Sequence, residues 1–290
     1  MKIFYTKLNT LLELVVFKHS IFALPFLFIS MMVASKLETQ SVWFGFGVLF
    51  LGIICAVSAR NFAMAMNRFL DEDIDKDNPR CKDRPNISGE IDRKSVLSFI
   101  FFNAFIFVFA SFFINTLAFV LSFPILLILG LYSTFKRFSS LAHLVLGFCL
   151  GLAPIAGSVI VLGKIELYSV ILCLGVMFWT AGFDLLYSLQ DMEYDKLKGL
   201  HSVPSKFGIK ATLFASAFCH FLAVLFWLLF VWQAKLSFVA FVGVFVCAAI
   251  LFFEQKIVRK NFAHIDRAFF TLNGYLSIIF LIFIWVDLIW

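Results

Sequence analysis

Long runs of apolar residues dominate the chain, and most of them are about as long as a helix that crosses a membrane. Nine such runs follow one another, at residues 19–35, 41–66, 95–114, 117–134, 141–163, 166–187, 211–232, 236–253 and 268–290. About 20 apolar residues cross the hydrocarbon core of a bilayer as a helix, so each run is a candidate span. Because 62% of the residues are hydrophobic and only 14% are charged, an ordinary soluble globular protein is excluded.

We therefore predict an all-α polytopic membrane protein, with about nine transmembrane helices in a bundle around a central apolar cavity. The connections at Asn115 and around Lys235 are so short that the helices beside them must form antiparallel hairpins. Residues 1–18 carry too many charges to span, and we expect them to lie at the interface as an amphipathic lead-in. No low-complexity linker interrupts the chain, so residues 1–290 are predicted to form a single domain.

The distribution of basic residues predicts the orientation of the bundle. With the N-terminus in the cytoplasm, only Lys36, Lys164 and Lys235 of the 24 Lys and Arg residues fall on the opposite side. Loops rich in Lys and Arg stay in the cytoplasm, so this asymmetry predicts a cytoplasmic N-terminus in a bacterial-type inner membrane. It also explains the net charge of +6 without a nucleic-acid partner.

The first polar segment closes the second apolar run and continues into a charged loop, residues 67–94. At about 100° per residue, five residues fall within an arc of about 80° on one helix face: Arg60, Met64, Asn67, Asp71 and Asp75. Pro79 disfavours a helical conformation at the preceding residue, so the helix should end just after this face. Charged and amide groups at the mouth of a span are costly near lipid, which indicates a functional site.

A second polar segment of the same kind closes the sixth run and opens the loop at residues 188–210. Five of its residues again fall within an arc of about 80°: Asp184, Tyr187, Asp191, Asp195 and Lys198. Both segments contain two aspartates four residues apart, and the two pairs are offset by 120 residues. One offset is weak evidence of duplication. Their shared chemistry is the stronger point, and both segments are predicted to open to the cytoplasm.

Four converging carboxylates repel one another strongly in a medium of low dielectric constant, so they need cations among them. Their hard oxygen atoms suit Mg²⁺, which commonly bridges a few carboxylates to the phosphates of a substrate. The basic residues near the two segments are Arg60, Arg68, Arg80, Arg84, Lys136, Arg137 and Lys198. They exceed what neutrality of the carboxylates requires. A diphosphate would use both sets of charges, and beside an apolar tunnel it points to a polyprenyl diphosphate.

At these residues the sequence resembles the UbiA family of intramembrane prenyltransferases. The first motif reads Asn67-Arg68-x-x-Asp71-x-x-x-Asp75-x-x-Asn78-Pro79-Arg80, followed by Arg84 and Gly89. The second reads Asp184-x-x-Tyr187-x-x-Gln190-Asp191-x-x-x-Asp195, followed by Gly199, Ser202 and Pro204. The connection between the fourth and fifth spans, Tyr132-Ser133-x-x-Lys136-Arg137-Phe138, is also similar to that of the family. The similarity covers most of the chain.

The resemblance implies Mg²⁺-dependent transfer of an isoprenoid chain from a polyprenyl diphosphate to a carbon atom of a small aromatic acid. It implies a catalytic, metal-binding set of Asp71, Asp75, Asp191, Asp195 and Asn67. The residues expected to bind the substrates are Arg60, Arg80, Arg84, Tyr132, Lys136, Arg137, Tyr187 and Lys198. Arg137 lies about 100° from Lys136 on a helix, so we expect it to face the carboxylate of the aromatic acid.

Arg68 stands where many members of the family have Asp. This departure resembles the branch that acts on 4-hydroxybenzoate and relatives that act on naphthoates, so ubiquinone and menaquinone routes both stay open. A transporter that uses the carboxylates as a cation path is a different alternative. Transporter sites lie near the middle of the bilayer on broken helices, whereas both aspartate pairs lie at the ends of spans. Solvated helix ends with i, i+4 ion pairs are the simplest alternative.

Overall fold

A computed structural model describes residues 9–16, 22–262, 265 and 268–290 of the chain. Its α-helices are α1 (Leu24–Thr39), α2 (Phe46–Leu70), α3 (Glu72–Asp75), α4 (Pro85–Ser88), α5 (Arg93–Ile114), α6 (Thr116–Leu131), α7 (Ala142–Leu162), α8 (Leu167–Ser188), α9 (Met192–Lys198), α10 (Val203–Gln233), α11 (Phe238–Lys260) and α12 (Asn273–Ile289). Short 3₁₀ turns lie at Pro79–Cys81, Tyr132–Arg137 and Leu189–Asp191, and a π-helical turn, Ala268–Leu272, precedes α12. All of these elements are helical, as predicted.

Eight of these helices, among the described residues, are long and apolar enough to cross a membrane. They coincide with the second to ninth predicted spans. The first predicted span corresponds to α1, which has 16 residues, most of them buried. Residues 19–21, at the start of this predicted span, lie outside the described part of the chain. The predicted class, an all-α polytopic membrane protein with about nine spans, is confirmed.

The helix ends follow local sequence signals. Asn115 separates α5 from α6, and its side chain accepts a hydrogen bond from the backbone N–H of Ala118 at 2.8 Å, an N-terminal cap. Lys235 takes a left-handed backbone conformation, with φ of 53°, between α10 and α11. Both predicted tight hairpins are therefore present. Gly208, with φ of 79°, interrupts α10 after its first turns, so the membrane-length part begins close to residue 211, as predicted.

Close packing of α7 on α8 fixes the centre of the bundle. A Cβ atom at Gly147 would lie 2.2 Å from the carbonyl oxygen of Met177, and one at Gly151 would lie 2.7 Å from that of Cys173. Such a pair of glycines four residues apart lets two helix backbones approach closely in a membrane. The contact positions the N-terminal half of α7 against the end of α8 that leads into the second polar segment.

Two apolar clusters hold the remaining helices. In the larger one, Phe26 of α1 and Trp179 of α8 pack with ring centroids 5.2 Å apart. Trp227 of α10 and Phe280 of α12 pack in the same cluster at 5.3 Å. The smaller cluster joins α2, α5 and α6 beneath the first polar segment. Each polar segment therefore leaves the end of a helix that is packed on its neighbours.

The structure describes the predicted lead-in only at residues 9–16. Residues 9–14 are helical, and Leu14 and Val15 are almost completely buried in the smaller cluster, against Phe62 and Val96. Residues 1–8 and 17–18 of the predicted lead-in lie outside the described residues.

An apolar cavity of about 690 Å³ lies between α1, the connection to α2 and α12, at the end of the bundle opposite the polar segments. Its walls include Met32, Phe44, Leu281 and Trp285, and Lys36 lies at its rim.

Candidate active site

The backbone of both polar segments breaks at an aspartate, so the single continuous helix faces predicted from the sequence are wrong. Helix α2 ends at Leu70, and Asp71 has φ of −95° and ψ of 7° before α3 begins. The second segment repeats the break at Asp191, which has φ of −100° and ψ of 3°. Aspartate competes for backbone hydrogen bonds and favours helix ends. The break turns the second aspartate of each pair onto a separate helical turn.

Asp71 is the most enclosed of the four carboxylates, with 1% of its surface exposed. Its Oδ2 atom accepts a hydrogen bond from the amide of Asn67 at 2.8 Å and pairs with the Lys136 ammonium at 2.8 Å. Burial raises the pKa of Asp71, and the charge of Lys136 opposes this shift. Its Oδ1 atom is buried and accepts no hydrogen bond among the described residues. The guanidinium of Arg137 lies 3.7 Å from it.

Asp75 lies on α3 and is 4% exposed. Arg84, from the loop that follows the 3₁₀ turn, pairs directly with its Oδ2 atom. The guanidinium of Arg68 lies 4.0 Å from the same oxygen, and the Cys81 thiol donates to Oδ1 at 3.6 Å. Arg68, at the position where many family members have Asp, therefore adds a positive charge beside Asp75.

Asp191 in the second segment is held by the loop of the first. Arg80 donates to its Oδ2 atom at 2.6 Å, and the Asn78 amide donates to its Oδ1 atom at 3.2 Å. The guanidinium of Arg80 also lies over the ring of Tyr187, 5.1 Å from its centroid. Asp195, one turn further, interacts with the Ser202 side chain and with the charges of Asp191 and Lys136.

Further contacts join the two polar segments. The Tyr194 hydroxyl donates to the backbone carbonyl of Ile74, and Lys198 pairs with Asp77. Lys198, expected to bind substrate, is thus bound to the rim of the first loop, with 41% of its side chain exposed. The structure brings the predicted aspartates, Asn67 and most of the predicted basic residues to one end of the bundle.

Arg60 and Arg137 differ in their partners. Arg137 binds Asp73 through two nitrogen atoms, at 2.9 and 2.7 Å, and the carbonyl oxygen of Leu70 at 2.7 Å. The hydrogen bonds from Arg137 lower the pKa of Asp73 to about 2. Arg60 forms no ion pair among the described residues, and its Nε atom is buried without a hydrogen-bond partner. Its charge lies near the buried side chain of Tyr132.

No three His, Cys, Asp or Glu side chains of the described residues lie close enough together to hold one metal ion. The donor set still suits Mg²⁺, which keeps several waters and uses only one or two carboxylates together with substrate phosphates. The Oδ1 atom of Asp71, which accepts no hydrogen bond among the described residues, provides an oxygen of the required kind. The assignment of the four aspartates and Asn67 as metal ligands stays a prediction.

Two residues at this site were missed by the sequence reasoning. His143 of α7 binds Asp184 of α8, with 2.7 Å between Nδ1 and Oδ2. Asp184 falls on the predicted polar face of the second segment, which was the available signal for its role. The position of His143 gave no comparable signal, since only the packing of α7 on α8 brings it there.

Solved structures with the same fold are known. The apo structure of a UbiA homologue from Aeropyrum pernix K1 is 29% identical and superposes with a TM-score of 0.83, over 93% of this chain and 98% of that chain. A UbiA homologue from Archaeoglobus fulgidus, solved with GPP and Mg²⁺, has a TM-score of 0.71 over 97% of this chain and 100% of its own. At 18% identity, the second likeness shows the fold alone.

Two relatives with similar sequences carry the name 4-hydroxybenzoate octaprenyltransferase. The 4-hydroxybenzoate octaprenyltransferase of Methylobacillus flagellatus is 28% identical over 222 residues, which are 74% of this chain and 72% of the relative. The enzyme of the same name from Francisella tularensis subsp. novicida is 27% identical over 203 residues, 70% of each chain. The model of the UbiA prenyltransferase family matches residues 23–285. With this match and the two aspartate segments at one end of a helical membrane bundle, the chain belongs to the UbiA prenyltransferase family.

Proposed function

We propose that the protein transfers a polyprenyl chain from polyprenyl diphosphate to 4-hydroxybenzoate in an Mg²⁺-dependent reaction. One observation carries the proposal: the carboxylates at the end of an apolar bundle are interleaved with basic side chains from other segments. Lys136 pairs with Asp71 and Arg80 with Asp191. A diphosphate with Mg²⁺ needs both acidic and basic partners. The Archaeoglobus fulgidus homologue was solved with GPP and Mg²⁺, which supports this choice of donor.

The chemistry follows from these residues. Asp71, Asp75, Asp191, Asp195 and Asn67 would hold Mg²⁺, which when bound neutralises the diphosphate and stabilises charge on the leaving group. The bond between the allylic carbon and the diphosphate oxygen breaks, and its electron pair leaves with the diphosphate. The ammonium and guanidinium groups of the site bind the charge that develops there.

The allylic cation is attacked by the electron-rich ring carbon beside the phenol of the acceptor. A carbon–carbon bond forms, and the ring regains aromaticity by losing the proton of that carbon to the released diphosphate or to water. The ring of Tyr132 is buried at the site, and an aromatic face of this kind can stabilise a cation. Enclosure of the site within the bundle reduces capture of the cation by water.

We further propose that Arg60 binds the carboxylate of the acceptor. It is a charged residue within a membrane span, and among the described residues it has no carboxylate partner. An unpaired charge in such a place is expensive, and an anionic substrate would compensate it. Guanidinium binds a planar carboxylate through two parallel hydrogen bonds, which also fixes the orientation of the ring. Arg137, the residue expected from the sequence, already has Asp73 as a partner.

The test compares Arg60→Ala with Arg137→Ala. A hydrogen bond to a charged group contributes about 1.5–3 kcal/mol. Arg60→Ala should therefore raise the Michaelis constant for the aromatic acid by about tenfold or more. The constant for the prenyl diphosphate should change much less. Arg60→Lys should recover only part of the loss, since a point charge does not orient the ring. A larger effect of Arg137→Ala on the aromatic acid would assign the acceptor carboxylate to Arg137 instead.

The identity of the acceptor is tested by mass spectrometry of the products. Membranes that contain the protein receive one polyprenyl diphosphate together with 4-hydroxybenzoate or with a hydroxynaphthoate. Prenylated 4-hydroxybenzoate is the expected product. A prenylated naphthoate alone would place the protein on the menaquinone route. Loss of diphosphate without a prenylated aromatic product would refute the proposed transfer.

A further inference from the structure

The His143 side chain connects three helices of the bundle. Its Nδ1 atom lies 2.7 Å from Oδ2 of Asp184 on α8. Its Nε2 atom accepts a hydrogen bond from the backbone N–H of Val203, the first residue of α10, at 3.4 Å. Since Nε2 accepts, the proton of the neutral ring lies on Nδ1 and is donated to Asp184. Both nitrogen atoms are thereby engaged, and 6% of the residue is exposed.

The bond to Val203 lies at the end of the second polar segment. The preceding residue, Ser202, caps α10 by accepting from the N–H of Ser205 at 3.3 Å, and its side chain interacts with Asp195. One residue earlier, the N–H of His201 donates to the carbonyl of Lys136 at 2.8 Å. The segment 199–203 is thus fixed at two backbone positions on either side of the residue that contacts Asp195.

Lys136 lies in the connection between α6 and α7, and this connection also contacts the first polar segment. The side chain of Lys136 pairs with Asp71, while its backbone carbonyl binds His201. His143 is the second residue of the adjoining helix, α7, whose spacing from α8 is fixed by the close approach of Gly147 to Met177. The connection therefore contacts Asp71 of the first pair through a side chain, and the segment that follows the second pair through a backbone bond.

We propose that His143 and Asp184 are positioning residues for the second aspartate pair. Asp184 orients the imidazole, the imidazole holds the N-terminus of α10, and this fixes Ser202 against Asp195. Neither residue serves as an acid or base, since both ring nitrogens are used in holding the fold. The effect on Mg²⁺ and the diphosphate rests on the proposed function, whereas the effect on the backbone at residues 199–207 does not.

Hydrogen exchange of the metal-free protein tests the backbone effect. His143→Ala should increase amide exchange in residues 199–207 about tenfold, whereas segments elsewhere should change little. His143→Gln can place an acceptor oxygen near the former Nε2 position and should restore much of the protection. His143→Asn can retain only the bond to Asp184 and should restore less. Equal rescue by the two variants, or unchanged exchange in His143→Ala, would overturn the proposal.

Ligand binding provides the second readout. An unreactive prenyl thiolodiphosphate with Mg²⁺ should bind His143→Ala about tenfold more weakly than the wild-type protein. Equal binding by the variant and the wild type would refute the positioning role. Absence of binding by the wild type would instead count against the proposed function, with the exchange result unaffected.

His220→Ala is the matched control, because it also removes a buried histidine bonded to a neighbouring helix, through Gln255 at 3.1 Å. It should lower the stability of the protein without changing exchange in residues 199–207 or the binding of the thiolodiphosphate. If it changes both as much as His143→Ala does, the effect is one of general packing, and the positioning role is refuted.

Discussion

Replacement of Lys136 by Met gives a quantitative test of the charge pairing at this site. The variant keeps the length and the apolar stem of the side chain and removes only its charge. Loss of one partner of a buried ion pair costs about 3–5 kcal/mol. Lys136 is 29% exposed, and Asn67 and Arg137 stay near Asp71, so we expect a cost just below this range, about 2–3 kcal/mol at pH 7.5.

The loss of unfolding free energy caused by Lys136→Met should become smaller as the pH falls. Burial already raises the pKa of Asp71 in the folded protein, and Lys136 opposes this shift. Without Lys136 the pKa rises further. A carboxyl group whose pKa is raised on folding contributes most stability below its unfolded pKa, and this is lost as the pH rises through the folded value. The difference in unfolding free energy between wild type and variant should therefore shrink as the pH falls from 7.5 towards 5.

The assay is the unfolding free energy in mixed micelles at several pH values. Lys196→Met is the control, because Lys196 forms an i, i+3 surface pair with Glu193 at 3.1 Å, and such pairs contribute little. Adding Asp71→Asn to Lys136→Met removes the unpaired carboxylate and should restore most of the stability. A destabilisation of Lys136→Met that is independent of pH, or none at pH 7.5, would refute the reasoning.

Two further predictions concern the metal and the orientation. Chelation of Mg²⁺ should abolish product formation, and Asp191→Asn should lower turnover by orders of magnitude without unfolding the protein, since it removes a charged oxygen from the predicted metal site; full activity in EDTA would contradict this. A cysteine at Asn86 should react with impermeant reagents from the cytoplasmic side alone, and one at Glu38 from the opposite side alone. The six native cysteines are buried, so they should contribute little labelling of their own. Labelling of position 86 from outside would show that the orientation is the reverse of the predicted one.

The spans could be predicted from the sequence because the signal for them is local. A helix across a bilayer needs its own apolar residues, so eight predicted spans agree with α2, α5–α8 and α10–α12. The tight turns at Asn115 and Lys235 follow from the same rule, since no residues remain for a longer connection. The acidic and basic character of the site could also be predicted, because charged groups at the ends of apolar runs are costly near lipid and therefore indicate a function.

The partner of each charged group was decided by the tertiary structure. Arg80 and Asp191 are 111 residues apart in the chain, and His143 and Asp184 are 41 apart. No periodicity relates such positions, since their contact depends on how closely whole helices pack. The pairing of Arg137 with Asp73 likewise follows from the fold of the loops. Arg60, within α2, has no carboxylate partner among the described residues.

The breaks at Asp71 and Asp191 separate, within a single segment, what the sequence determined from what the tertiary structure decided. The sequence by itself determined that two aspartates four residues apart stand at the end of each helix, and helical periodicity then placed them on one face. In the folded protein the helix ends one residue before Asp71, and the second aspartate lies on a new turn where Arg84 can reach it. Helical periodicity describes a chain whose backbone bonds are local. Charged side chains with partners on other helices can end that helix, and only the tertiary structure brings those partners together.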